Sequence, residues 1–180
     1  MKPEQEIFSP EYWQQNAERL LYSASALIEK LRIIQDDKEL EADLFKWSSN
    51  IRSLLETNYM LLGYATENSI KGYSIFKYAL SNELSERGDF KYLLNCVWRV
   101  KNGHDTIGIA GNAGLALTEK EKELLVKLQE HSLWKGRYHI PNSHQDILDT
   151  IKPGEKDSYK VEERLMVSEL VGRIGLKIRK

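Results

Sequence analysis

Glu67 and Lys71 are the only charges in a run of twenty residues between Glu56 and Lys77, TNYMLLGYATENSIKGYSIF. The acid precedes the base by four positions, the order that lets the two side chains meet on one face of a helix. Removing either charge from water is expensive unless it is paired and hydrogen-bonded, so the pair is either an architectural clamp or part of a polar site. A second group of chemically capable residues lies further on: His131, Trp134, Lys135, Arg137, Tyr138 and His139 place cations among aromatic rings within nine residues. That mixture suits single-stranded RNA, through stacking and phosphate contacts. It equally suits a helix C-terminus with favourable cations and ordinary core aromatics. The single cysteine, Cys96, excludes an internal disulfide, and its place in YLLNCVW predicts a buried, inert thiol. Neither HIPNSH nor any acid–histidine spacing offers a ligand set on one helix face, so no metal and no cofactor is expected.

The elements that must position these groups read as helices. Ser9-Pro10-Glu11 supplies a capping hydroxyl, a proline suited to the first helical position and an acid in the first turn. Apolar residues at Leu20, Leu21, Ala24, Leu27, Ile28, Leu31 and Ile34 then predict one long helix to about residue 35. The charged stretch DDKELEAD is a connection or a short helix, and a second long helix is predicted from about Phe45 to Leu80, with Gly63 or Gly72 as the place for a bend. Asp89 to Lys101 reads as a short apolar helix closed by an Asn102-Gly103 turn, and His104 to Ala113 as another, stopped by Gly114. Thr118 with Glu121 three residues later forms a capping box for a helix carrying Leu124, Leu125, Leu128 and Leu133. Gly136 to Ser143 must be irregular, and a last helix is predicted over Ser158 to Lys177 with Val161, Leu165, Leu170 and Ile174 as its apolar stripe. No segment alternates like a strand and no repeat appears, so the fold class is all-α, an up-and-down helical bundle.

With 180 residues, a single domain over residues 1–180 suffices, its core at about 10–150 and its C-terminal helix at about 158–177. A net charge of −1 and a pI near 6.5 give no global attraction to nucleic acid or anionic membrane, so any basic surface must be local. The N-terminal MKPEQEIFSPEYW lacks an apolar core behind a basic end, which argues against a secretory signal. Asn58, Glu67, Asn68, Ser69 and Lys71 interrupt the run from Thr57 to Phe76, which argues against a membrane span. A cytoplasmic protein that does not engage membranes is expected. The apolar girdle from Tyr59 to Phe76 looks too complete for one bundle to cover, which nominates the second long helix as a homodimer face.

Three stretches, LLGYATENSIKG (Leu61 to Gly72), GHDTIGIAGNAGLALTEKEKELLVKL (Gly103 to Leu128) and KGRYHIP (Lys135 to Pro141), span roughly half of the chain in a recognisable order. They resemble, respectively, an aliphatic helix with E-x-x-x-K, a G-H-D start before a short helix, and a G-R-Y-P-like turn, as found in the HEPN superfamily of helical-bundle domains. The departure is His139, where many relatives carry proline. The resemblance implies two long antiparallel helices with shorter flanking ones. It also implies a protein acting on RNA, as a metal-independent endoribonuclease of toxin or defence type; the alternative it allows is a non-catalytic module binding a nucleotide or a protein partner such as a cognate antitoxin.

The catalytic signature of such nucleases is R-x4-6-H, usually working across a homodimer interface. The arginine would grip a phosphate by a forked contact and the histidine would move a proton at the 2′-hydroxyl or the leaving oxygen. Two segments match, Arg99 to His104 and Arg137 to His144. Nine arginines, three offsets and four histidines give about 0.6 matches by chance, so two are a mild enrichment. In chain order Arg137 falls where the catalytic arginine would come, while His104 falls at a helix start, where a capping or core role competes. The resemblance thus nominates Arg137, His144, Arg99 and His104 as catalytic candidates, and Glu67, Lys71, Lys135, Tyr138 and His139 as RNA or ligand contacts.

Overall fold

The computed structural model describes residues 6–35, 44–81, 90–101, 103–132 and 160–179. Over these residues the chain is an all-α bundle: α1 (Pro10–Gln35), α2 (Leu44–Ala79), α3 (Phe90–Tyr92) running directly into a π-helix (Leu93–Trp98), α4 (Thr106–Asn112), α5 (Glu119–Glu130) and α6 (Val161–Ile178). DDKELEAD, Leu133, the turn from Gly136 to Ser143 and residues 158–159 at the expected start of the last helix lie outside the described residues.

α1 begins where its cap predicts, with the Tyr12 backbone N–H donating to Ser9 Oγ at 3.2 Å. Its buried face is small at the centre, Ala17 and Ala24, and aliphatic beyond, Ile28, Leu31 and Ile34. This lets α1 lie close along α2, the most extensive helix contact in the chain. α2 runs unbroken, and its glycines serve close approach. A Cβ at Gly72 would stand 2.8 Å from the Pro10 carbonyl oxygen, and one at Gly63 would stand 2.9 Å from that of Leu128. Buried Gln14 ties three helices together, accepting from Ser69 Oγ at 2.8 Å and donating to the Val171 carbonyl at 3.2 Å.

One core cluster joins Ile70, Tyr73 and Ile75 of α2 to Leu93, Val97 and Trp98 of the π-helix, Ile109 of α4, and Leu170 and Ile174 of α6. A second joins Ala17, Ala24, Tyr59, Leu62, Leu124, Leu128, Val167 and Val171. The girdle on α2 is therefore covered by the chain's own helices, and the sequence-based reason for placing a dimer face there falls away. In α6 the buried stripe is Val167, Leu170, Val171, Ile174 and Ile178, while Val161 and Leu165 are exposed. The five-residue step from Leu165 to Leu170 turns the helix too far for both to share a face.

Between α2, α5 and α6 lies a polar network. Lys127 Nζ donates to Glu163 at 3.0 Å and to Tyr59 Oη at 3.1 Å, Tyr59 Oη donates to Glu163, and the ammonium stands 4.6 Å from the Tyr59 ring centroid. α5 opens with the expected capping box: Thr118 Oγ1 accepts from the Glu121 N–H, and Glu121 accepts from the Thr118 N–H. Glu121 also pairs with Arg173 of α6 at 2.6 Å. No described helix is long and apolar enough to cross a membrane.

Candidate functional site

Glu67 and Lys71 meet as their spacing predicts, with Lys71 Nζ 2.6 Å from Glu67 Oε1 and only 6% and 9% of the two side chains exposed. Their neighbours soften the loss of water. The ammonium stands 4.8 Å from the Trp98 ring centroid and 5.4 Å from that of Trp13, a cationic niche made by α1 and the π-helix. The hydrogen bond between them is charge-assisted and short.

The second oxygen of Glu67 turns outward to the loop after the π-helix. His104 Nδ1 lies 3.0 Å from Glu67 Oε2, so one carboxylate bridges a buried ammonium and an imidazole. With Nδ1–H donating to the carboxylate, Nε2 is the atom on the far side of the ring, and 39% of the side chain is exposed. A proton-transfer group oriented by an acid behind it is the arrangement by which many hydrolytic sites fix a histidine. The turn holding His104 is pinned on its other side. Asp105, not His104, caps α4, accepting from the Gly108 N–H at 2.9 Å, while the Thr106 N–H donates to the His104 carbonyl at 2.8 Å.

Arg99 enters this turn through an unusual backbone. The π-helix ends on it in the left-handed region, φ 53° and ψ 48°, and it is the only non-glycine residue with positive φ among those described. The apolar helix thus stops at Arg99 rather than at the expected Asn102-Gly103 turn. Asn112, at the end of α4, holds this geometry by donating its side-chain amide to the carbonyls of Trp98 at 2.8 Å and Arg99 at 3.1 Å. Left-handed non-glycine residues and π-helical turns are both concentrated at functional sites, where surrounding contacts hold the strain. The Arg99 side chain is exposed.

Of the sequence candidates, the structure brings Glu67, Lys71 and His104 together and sets Arg99 on the segment leading into His104. Lys135, Arg137, Tyr138, His139 and His144 lie outside the described residues. His131 does not contribute to an exposed cationic surface, being 5% exposed and stacked on Tyr59 at 4.8 Å between ring centroids. Cys96 is exposed, contrary to expectation. The π-helix turns Leu93, Val97 and Trp98 inward and leaves Asn95 and Cys96 outside. Asn112, Trp13 and Trp98 were missed. A polar residue in GIAGNAG and a tryptophan on each of two helices are unremarkable until the fold places them.

Among the described residues no group of three His, Cys, Asp or Glu side chains could hold a metal ion. No family model, curated protein or solved structure matches this chain.

Proposed function

We propose that this chain is a HEPN-like helical domain, with α1 and α2 as its antiparallel pair, that acts as a metal-independent endoribonuclease through Arg99 and His104. The single observation that supports this most is the 3.0 Å contact between His104 Nδ1 and buried Glu67, in a side chain that still reaches the surface. In this reading the 2′-oxygen of a ribose attacks the adjacent phosphorus and the bond to the 5′-oxygen breaks. The products are a cyclic phosphate and a 5′-hydroxyl end. The 2′-hydroxyl gives up its proton and the leaving oxygen gains one; His104 Nε2 serves one of these transfers. Arg99 meets the phosphate with a forked contact and stabilises the charge that builds on it. Lys71 pairs with the Glu67 carboxylate, and Glu67 orients the imidazole.

The experiment is incubation of single-stranded RNA and a tRNA pool with the protein in EDTA, with the product ends identified. Cyclic phosphate ends made by wild type and by Arg137→Ala and His144→Ala, and lost in Arg99→Ala and His104→Ala, are the expected result. Loss confined to Arg137→Ala and His144→Ala would move the chemistry to the other pair. Absence of cutting by folded wild type would leave a binding module in place of a nuclease.

A further inference from the structure

Phe90, 49% exposed at the start of α3, brings an aromatic ring to the His104 turn. Its position is fixed from within: it meets the buried Trp98 ring edge-on, with 5.4 Å between centroids and 76° between planes. Its tip reaches the turn itself, Phe90 Cζ standing 3.5 Å from where a Cβ of Gly103 would be. Lys71 Nζ stands 3.6 Å from that same point. Gly103 immediately precedes His104, so the half-exposed ring, the buried cation and the imidazole converge on one turn of chain.

We infer that Phe90 is a stacking platform for a nucleobase of single-stranded RNA, seating the nucleotide whose phosphate is presented to Arg99 and His104; the inference rests on the RNA reading of this site. A ring held edge-on by Trp98 and half exposed can offer a π-face to any base, whatever its sequence. Bases within a duplex are stacked on their neighbours and cannot reach such a ring, whereas unpaired bases in loops and single strands can. Gly103 adds to the fit, since a side chain there would stand against the ring tip. The substrate class is therefore unpaired RNA, with stacking supplying position and little sequence preference.

The test is binding of a fluorescent 2′-O-methyl oligonucleotide, which lacks the attacking hydroxyl, alongside an abasic strand of equal length. Wild type, Phe90→Leu and Phe90→Trp are compared, each checked for folding by its thermal melt. Phe90→Leu keeps apolar packing against Trp98 and removes the ring; it is expected to bind the base-bearing strand about tenfold more weakly, to bind the abasic strand like wild type, and Phe90→Trp is expected to recover affinity. If wild type binds or cuts RNA and Phe90→Leu matches it on the base-bearing strand, the stacking role alone is overturned. If wild type binds neither strand, the stacking role and the RNA reading fall together.

Discussion

Two ion pairs set into this bundle, one buried and one partly buried, are built from the same kinds of group and make different contacts. The Lys127–Glu163 pair lies across three helices, with Tyr59 between its partners and both side chains less than a fifth exposed. Its contacts join α2, α5 and α6, as in a clamp. The Glu67–Lys71 pair lies within one helix and is more deeply buried, yet its carboxylate passes the contact on to His104 in a turn at the surface. A buried charge pair is weak evidence for stability and none by itself for catalysis. What separates the two is what each carboxylate reaches: Glu163 meets a tyrosine buried among helices, and Glu67 meets an imidazole that solvent can reach.

Four substitutions test this difference. His104→Ala should lower the RNA cleavage rate by about 10²–10⁴-fold, the range for removing a proton-transfer group, with little change in the thermal melt. Lys127→Met removes one partner of the other pair and leaves the partly buried Glu163 without its cation; denaturant unfolding should show a loss of about 3 kcal/mol, with the folded fraction still cutting RNA at the wild-type rate. Glu67→Gln keeps the volume but takes the charge from behind the imidazole. Misplacing His104 should slow cleavage by about 10²-fold, and a rate equal to wild type would reduce Glu67–Lys71 to a second clamp. Smallest is Asn112→Ala, which strips two hydrogen bonds from the left-handed turn. A stability loss of about 1–2 kcal/mol with a measurable fall in cleavage would show that the Arg99 backbone geometry is used, while a stability change with no fall would show that it is only structural.

How much of this could be read from the sequence follows the range of each interaction. The Ser9 cap, the Thr118–Glu121 capping box and the Glu67–Lys71 pair are local, their partners within four residues, and each stands as its spacing predicts. The contact between His104 and Glu67 crosses 37 positions of sequence and depends on how the turn after the π-helix folds back on α2. Helical periodicity carries no sign of it. The π-helix itself defeats a period of 3.6, because its wider turn shifts which residues face inward and leaves Cys96 exposed, while the left-handed backbone of Arg99 ends the helix. Val161 and Leu165 show the opposite limit, because apolar type does not entail burial and their face of α6 points away from the core. Between the two readings its neighbours allow, a cationic surface or a helix end with core aromatics, His131 falls with the second, packed under Tyr59.

The claim that the two pairs differ in kind is tested most directly by the rate of EDTA-resistant RNA cleavage per folded molecule in wild type, His104→Ala and Lys127→Met measured side by side. Activity lost by about 10²-fold or more in His104→Ala and preserved in Lys127→Met is the result expected; cleavage that survives His104→Ala, or that falls equally in both variants, would contradict it.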